Sequence, residues 1–251
     1  MKKIGIIPAR YASTRFPGKP LVDIFGKTMI QRVFEKVHAS QLLDEVFVAT
    51  DDQRIVDELE SKNIPYILTD QNISTGTERC LAAARTLRSL EKEDVLINIQ
   101  GDEPFISANQ IKLLLQAFSH PKTQIASLRK KIERIPQVLN PNSVKVVCDK
   151  NDFALYFSRS PIPYVRDTTQ DQWLSVATFF KHLGIYAFKY GVLEELSHLE
   201  KSELEIHESL EQLSWLTHGY KIRMIVTQEE SPSIDTPNDL EMVLNLYKNK
   251  L

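Results

Sequence analysis

The sequence contains little cysteine, and neither cysteine belongs to a disulfide or metal-binding pattern. Cys80 and Cys148 are the only two in 251 residues, and each lies inside an apolar periodic segment. This excludes the disulfide framework of a small secreted domain and favours a reducing compartment. The segment before Pro8 is also too short for the apolar core of a signal peptide, so we expect a cytoplasmic location.

Long apolar runs and an excess of one charge are missing as well. No stretch approaches the roughly 18 uninterrupted apolar residues of a membrane span, so we expect no membrane insertion. The 31 basic and 33 acidic side chains are intermixed and leave a formal charge of -2. Because such a chain has no strong long-range field, we expect no nucleic-acid partner, and any anionic ligand must be bound locally.

Glycine is scarce, with eight residues, and the glycine-rich nucleotide motifs are absent. The chain contains neither G-x-x-x-x-G-K-S/T nor G-x-G-x-x-G. These absences disfavour a P-loop ATPase and a dinucleotide-dependent oxidoreductase.

The first half of the chain alternates β-branched runs with amphipathic helical patterns. Strands are predicted at residues 4–7, 45–50, 65–68 and 94–99. Apolar stripes at helical spacing lie between these runs, and Thr75 with Glu78 forms the capping-box pattern of a helix running toward Leu90. The alternation predicts an α/β fold with a doubly wound, mainly parallel, Rossmann-like sheet.

The pattern changes near residue 125, where turn formers separate short runs of strand-forming residues. Strands are predicted at 143–148, 154–157, 182–188 and 221–226, with a mainly helical stretch at 203–218. We interpret residues from about 125 to 220 as a mixed-sheet insertion within one domain spanning 1–251. Thr236 as the N-cap and Pro237 at the first helical position then begin a final helix.

The loop after the first strand carries three cations within ten residues, Arg10, Arg15 and Lys19. In a doubly wound sheet, ligands bind beyond the carboxyl ends of the strands, where this loop begins. One interpretation is a solvated loop whose arginines form ordinary salt bridges. The position after a strand and the stiff exit at Pro17-Gly18-Lys19-Pro20 favour a loop that binds polyphosphate.

Two acidic turns are candidates for a metal site. Asp102 follows the fourth predicted strand, where Gly101 permits a tight turn, and Asp235 precedes the last helix. Mg²⁺ takes oxygen ligands from one or two carboxylates together with substrate phosphates. In the alternative interpretation, Asp102 stabilises its own turn and Asp235 caps the helix, although Thr236 can take the capping role. Spacing alone does not pair the two aspartates.

Residues 6–21 resemble the signature loop of the sugar nucleotidyltransferases that make CMP-activated acid sugars. Further segments match in the family's order along the whole chain, at 75–79, 100–104, 140–147, 156–159, 182–186, 211–213 and 235–237. The loop and the Gln-Gly-Asp-Glu-Pro motif are specific, and the resemblance is closest to the branch that activates 3-deoxy-D-manno-octulosonate (Kdo). Thr75 departs from the family's serine but retains a hydroxyl. Thr28 replaces the usual proline, a change that concerns helix entry.

The resemblance implies transfer of CMP from CTP to the 2-hydroxyl of Kdo, with release of pyrophosphate, for lipopolysaccharide synthesis. It also implies the fold of the nucleotide-diphospho-sugar transferase type, Mg²⁺ as the cofactor, and a homodimer built through the insertion. We predict no covalent protein intermediate. The implied catalytic residues are Arg10, Arg15, Lys19, Asp102 and Asp235, of which Asp102 and Asp235 bind the metal. The implied nucleotide-binding residues are Pro8, Ala9, Arg10, Arg15, Lys19, Thr75, Gly76 and Arg79. The implied acceptor-binding residues are Gln100, Arg166, His182, Tyr186, Glu211 and Gln212.

The acceptor residues also have ordinary interpretations when they are considered without the resemblance. His182 before a strand is typical of a structural histidine, Tyr186 of a core aromatic, and Glu211-Gln212 of a solvated helical face. Two other functions stay open. One is a cytidylyltransferase for another acid sugar, such as sialic acid or an amino-substituted Kdo. The other is a non-catalytic nucleotide-binding domain, which the presence of Lys19, Asp102 and Asp235 together disfavours.

Overall fold

A computed structural model of the protein describes residues 1–248. The strands in these residues are β1 Lys3–Ala9, β2 Asp23–Ile24, β3 Lys27–Thr28, β4 Glu45–Thr50, β5 Tyr66–Leu68, β6 Val95–Asn98, β7 Ile125–Lys131, β8 Lys145–Cys148, β9 Ala154–Ser158, β10 Phe180–Lys189 and β11 Ile222–Thr227. The α-helices are α1 Met29–Ala39, α2 Gln53–Ser61, α3 Gly76–Thr86, α4 Ala108–Ala117, α5 Ile135–Leu139, α6 Trp173–Val176, α7 Tyr190–Leu196, α8 Glu203–Glu208, α9 Gln212–Thr217 and α10 Pro237–Tyr247.

The chain divides into two compact units, which are described separately. Of the described residues, the first comprises 1–111 and 231–248, and the second comprises Lys112–Glu230. Neither cysteine is in a disulfide. No helix among residues 1–248 is long and apolar enough to cross a membrane.

The first unit contains four parallel strands joined through helices. Strand β1 pairs in parallel with β4 on one side and with β6 on the other, and β4 pairs in parallel with β5. β6 is buried along its whole length, as expected for a parallel strand covered on both faces. The predicted α/β fold with a mainly parallel sheet is therefore confirmed. Because parallel strands share one carboxyl edge, the loops after β1 and β6 leave the same side of the sheet.

Side-chain caps begin helices α1, α2, α3 and α10 of this unit. Thr75 and Thr236 each form a complete capping box, with Glu78 and Asp239 respectively, which confirms the predicted starts of α3 and α10. Thr28 accepts a hydrogen bond from the Gln31 amide at 3.4 Å and so caps α1. Helix α3 ends at Thr86, earlier than predicted, and the following turn includes Ser89 at φ 72°.

The second unit is built on a mixed sheet. Strand β7 pairs in parallel with β11 and antiparallel with β10, while β8 pairs antiparallel with both β10 and β9. The alternation of apolar and polar residues used to predict strands did not reveal β7, because its first five residues are all buried and show no alternation. The mainly helical stretch predicted at 203–218 is confirmed as two helices. It is interrupted at Ser209, whose φ of 51° separates α8 from α9.

Candidate active site

The first unit holds a pocket of about 330 Å³ at the carboxyl ends of β1 and β6. The lining includes these residues predicted from the sequence: Pro8, Ala9, Arg10, Arg15, Lys19, Gly76, Arg79, Gln100, Asp102 and Asp235. Of the residues predicted to bind nucleotide, Thr75 alone does not line it, because its hydroxyl accepts the Glu78 amide in the α3 cap. The structure thus gathers two segments from opposite ends of the sequence and the turn after β6 around one cavity.

Lys19 joins the two acidic turns. Its Nζ donates to Asp102 Oδ2 at 2.7 Å and to Asp235 Oδ1 at 3.1 Å, and its side chain is only 14% exposed. Arg15 Nη2 also donates to Asp235 Oδ1, at 3.0 Å. Two carboxylates therefore converge on one ammonium group, and a guanidinium group neutralises the second of them further.

Backbone contacts explain why Asp102 and Asp235 meet. The amide of Ile234 donates to the carbonyl of Asp102 at 3.0 Å, which ties the segment before α10 to the turn after β6. Asp239 accepts the amides of Asp235 and Thr236, at 3.1 and 2.8 Å. Since Asp239 and Thr236 complete the helix cap, the Asp235 carboxylate is left to bind Lys19 and Arg15.

Gly101 lets the acidic turn approach β1 closely. A Cβ atom at this position would lie 2.6 Å from the carbonyl oxygen of Pro8, a distance that side chains do not tolerate. The absence of a side chain at residue 101, rather than an unusual backbone angle, therefore allows the turn before Asp102 to lie against β1.

Replacing Gly101 with alanine is expected to lower both the melting temperature and turnover. The backbone must move to relieve the clash, at a cost of about 1–3 kcal/mol, and Asp102 moves with it. Gly76→Ala is the matched control in the same pocket, because its Cβ would lie at an ordinary 3.4 Å from Pro8 Cγ. Differential scanning calorimetry measures the effect. Equal melting temperatures for the two variants would contradict this role of Gly101.

The cationic loop is held by contacts that the sequence did not reveal. The carbonyl of Tyr11 accepts the amides of Ser13 and Gly18, both at 2.9 Å, and Gly18 adopts φ 72°. The guanidinium carbon of Arg54 lies 3.3 Å from the centroid of the Tyr11 ring. Arg54 is itself fixed by the carboxylate of Asp52, so helix α2 braces the loop through a cation–π contact.

Arg79 is more deeply buried than a side chain that binds phosphate at the pocket surface would be. It is fully buried, and its Nη2 donates to Asp51 Oδ2 at 2.8 Å and to the carbonyl of Ile73 at 3.3 Å. Arg10 reaches the same carbonyl from outside, at 3.4 Å, and its side chain is exposed. Arg79 therefore supports the wall of the pocket, whereas Arg10 and Arg15 offer exposed guanidinium groups.

Except for Gln100, the residues predicted to bind the acceptor lie in the second unit. Three of them are buried. His182, Tyr186 and Gln212 are each less than 9% exposed. The His182 and Tyr186 rings lie 5.3 Å apart, and Trp215, on the helix that carries Gln212, packs against Tyr186 at 5.0 Å. The Tyr186 hydroxyl and Gln212 Nε2 have no hydrogen-bond partner among the described residues. Unsatisfied buried polar atoms are uncommon and indicate a place for a polar ligand or water.

Burial determines the charge state of this cluster. It lowers the pKa of His182 to about 3, assisted by the positive charge of Lys181, so the ring is neutral near pH 7. Burial also raises the pKa of Tyr186 well above its ordinary value, and the negative charge of Glu211 adds to this effect. The cluster is therefore made of neutral groups that can donate and accept hydrogen bonds.

Arg166 does not join these buried groups. Its side chain is 88% exposed, and its ion pair is with the neighbouring Asp167, at 3.4 Å. Gln100 lies in the first unit, where it lines the pocket described above.

Comparison with known proteins decides the family. The model of the cytidylyltransferase family matches residues 4–222. The chain belongs to the cytidylyltransferase family. A 3-deoxy-manno-octulosonate cytidylyltransferase from Parabacteroides distasonis is 49% identical to this cytidylyltransferase over the whole of both chains. The enzyme of the same name from Bacteroides thetaiotaomicron is 46% identical, again over the whole of both chains.

Solved structures agree with this assignment. A CMP:2-keto-3-deoxy-manno-octonic acid synthetase in complex with CTP superimposes with a TM-score of 0.92, at 39% identity and full coverage of both chains. A cytidylyltransferase from Leptospira borgpetersenii superimposes with a TM-score of 0.65 at 18% identity, and the alignment covers all of this chain and 88% of the other. At this identity the likeness concerns the fold alone.

The donor set of the pocket suits a hard divalent cation. Asp102 and Asp235 already place carboxylate oxygens within hydrogen-bond distance of a single positive charge, Lys19 Nζ. Within residues 1–248, no group of three or more His, Cys, Asp or Glu side chains could hold a metal ion. Two carboxylates completed by phosphate and water oxygens are the arrangement that Mg²⁺ uses with nucleotides.

Proposed function

We propose that this chain transfers CMP from CTP to the 2-hydroxyl of Kdo, giving CMP-Kdo and pyrophosphate. The observation that carries the proposal is the convergence of Lys19, Asp102 and Asp235 in a pocket whose rim presents Arg10 and Arg15. The relatives named for this reaction, which match over the full chain, support the choice of acceptor.

The transfer is a single displacement at phosphorus. The sugar 2-hydroxyl oxygen forms a bond to the α-phosphorus of CTP, and the bond from that phosphorus to the bridging oxygen breaks. Pyrophosphate leaves with the bonding electrons, and the hydroxyl proton is released. Negative charge builds on the phosphate oxygens during this step, and the preorganised cations Arg10, Arg15 and Lys19 stabilise it. No side chain of the protein becomes covalently attached.

Mg²⁺ is the proposed cofactor, and Asp102 and Asp235 are the residues that would hold it. When bound, the ion supplies positive charge to the phosphates and lowers the pKa of a bound hydroxyl. Lys19 donates to one oxygen of each carboxylate in the structure. We expect it to turn toward the triphosphate when CTP binds and so to leave both carboxylates for the metal. The exposed guanidinium group of Arg15 can keep its hydrogen bond to Asp235 or, like Lys19, bind the triphosphate.

The buried cluster of the second unit suits a hydroxylated acid sugar. The Tyr186 hydroxyl and Gln212 Nε2 lack partners, and a sugar with several hydroxyls provides both donors and acceptors for them. His182, neutral at pH 7, can accept from or donate to a hydroxyl without introducing charge. These are the contacts that we propose select the acceptor.

The deciding assay measures pyrophosphate release from CTP with Mg²⁺ present. Kdo, an amino-substituted Kdo and sialic acid are compared as acceptors at equal concentrations. We expect Kdo to give the highest kcat/KM, by at least about tenfold, because a missing or extra polar group leaves a buried partner unsatisfied. No pyrophosphate with Kdo but release with another acid sugar would support the alternative acceptor, and no release with any sugar would support a binding domain.

We also propose that the enzyme is a homodimer. The second unit exposes several large apolar side chains, namely Leu155, Tyr164, Val176 and Ile206. In the homodimer that the family resemblance implies, a second copy of the chain would cover exposed apolar side chains such as these. Light scattering coupled to gel filtration should give twice the chain mass of 28.8 kDa. A mass of one chain at micromolar concentration would contradict the dimer.

A further inference from the structure

Strand β10 is interrupted by a bulge between the two predicted acceptor residues that it carries. In its register with β7, Leu183 lies opposite Leu128, but the next pair is Tyr186 with Ser127, so β10 contains two extra residues. In a regular strand, side chains four residues apart are about 13 Å apart. Here the rings of His182 and Tyr186 are 5.3 Å apart. The bulge therefore brings these two side chains together.

The hydroxyl of Ser127 lies inside this bulge. Ser127 Oγ is 3.0 Å from the carbonyl oxygen of Leu183, 2.9 Å from that of Ile185 and 3.0 Å from His182 Nε2. Ser127 is fully buried, so no bulk water competes for these contacts. A single hydroxyl thus contacts both the irregular backbone and the imidazole ring.

Counting hydrogens assigns the tautomer of His182. A serine hydroxyl has one hydrogen, and the two carbonyl oxygens can only accept, so that hydrogen points toward them. Ser127 Oγ then accepts from His182, which requires a hydrogen on Nε2. The opposite tautomer would need the serine hydrogen for Nε2, and both carbonyl oxygens would face the lone pairs of Oγ. Because the buried ring is neutral, one hydrogen on Nε2 leaves Nδ1 with a lone pair.

We propose that Ser127 is a positioning residue for the acceptor sugar: it holds the β10 bulge and fixes His182 as the Nε2–H tautomer, so that Nδ1 accepts a hydrogen bond from a sugar hydroxyl. The proposal rests on the proposed function for the identity of the ligand, but the assignment of the tautomer does not. His182 Nδ1 makes no hydrogen bond to any residue in the described part of the chain. The unpartnered Tyr186 hydroxyl nearby gives the same ligand a donor.

The test combines a spectroscopic and a kinetic measurement. Long-range proton–nitrogen NMR of protein labelled with ¹⁵N-histidine reports which ring nitrogen of His182 carries the hydrogen, with His182→Gln used to assign the signal. The wild type should show the Nε2–H form. Ser127→Ala should shift His182 toward the Nδ1–H form or a mixture, and raise KM for Kdo about tenfold, the effect of one hydrogen bond. KM for CTP should change less than twofold.

Thr123→Val is the matched control, because Thr123 is another fully buried hydroxyl residue of the second unit, and its hydroxyl donates to the carbonyl of Ala117 at 2.8 Å rather than to the β10 backbone. It should change neither the tautomer nor KM for Kdo. An Nδ1–H tautomer in the wild type overturns the proposal without any variant, even if Ser127→Ala does not fold. An unchanged KM for Kdo in a folded Ser127→Ala variant overturns its acceptor role. If wild-type enzyme does not use Kdo, the function fails, while the tautomer result still decides what Ser127 does.

Discussion

Asp102→Asn is expected to lower kcat by about 10³-fold while leaving the fold intact. The substitution keeps the size of the side chain but removes the charge that meets Lys19 at 2.7 Å and that would bind the metal. Losses of this order follow when one preorganised charge is removed from a phosphoryl-transfer site. The carboxylate is a quarter exposed, so the variant should fold without a large loss of stability. Pyrophosphate release at saturating CTP and Kdo measures the effect.

Asp57→Asn is the control for this experiment. Asp57 lies exposed on α2 and accepts a hydrogen bond from Gln53 Nε2 at 2.8 Å, outside the pocket. Its replacement should leave kcat within about twofold, as for most surface substitutions. If Asp102→Asn retains more than a tenth of wild-type turnover at every Mg²⁺ concentration, Asp102 is not a metal ligand in this reaction.

Lys19→Met is expected to lower kcat/KM for CTP by about 10²- to 10³-fold, since one phosphate-binding cation is lost. The same variant should bind Mn²⁺ more tightly than wild type in the absence of nucleotide. The reason is that Lys19 Nζ occupies both carboxylates in the structure, and without it their mutual repulsion favours a divalent cation. Electron paramagnetic resonance of free Mn²⁺ measures this binding directly.

Lys27→Met serves as the matched lysine control, because Lys27 forms an exposed pair with Glu35 at 2.6 Å. It should change neither turnover nor Mn²⁺ binding. Lys19→Arg should not restore wild-type activity, because the longer planar guanidinium cannot replace an ammonium that touches two carboxylates. Weaker Mn²⁺ binding in Lys19→Met would show that Lys19 helps to build the metal site rather than competing for it.

Local signals predicted much of the first unit correctly. The start of α3 was predicted from the capping-box pattern at Thr75, and the start of α10 from Thr236 followed by Pro237. Both are patterns of neighbouring residues, so they need no tertiary information. Strand β4 has the predicted bounds for a similar reason, since its apolar and β-branched residues form one uninterrupted run after Glu45. The loop cations were predicted to bind phosphate because they follow β1, and the structure places all three in one pocket.

Long-range contacts account for most of what was missed. Lys19 is 83 residues from Asp102 and 216 from Asp235, so only the family resemblance paired them in the sequence. Arg54 under Tyr11 leaves no local signal either, because the contact joins a loop to a different helix. A buried serine such as Ser127 is ordinary in a strand, and its importance depends on a bulge that cannot be seen before the strands are paired.

A crystal structure of the enzyme with CTP and Mg²⁺ tests the central claim most directly. The expected result has the triphosphate contacted by Arg10, Arg15 and Lys19, with Lys19 turned away from the carboxylates and Mg²⁺ held by Asp102 and Asp235. A triphosphate bound away from these cations, or a metal ion with neither aspartate among its ligands, would contradict it.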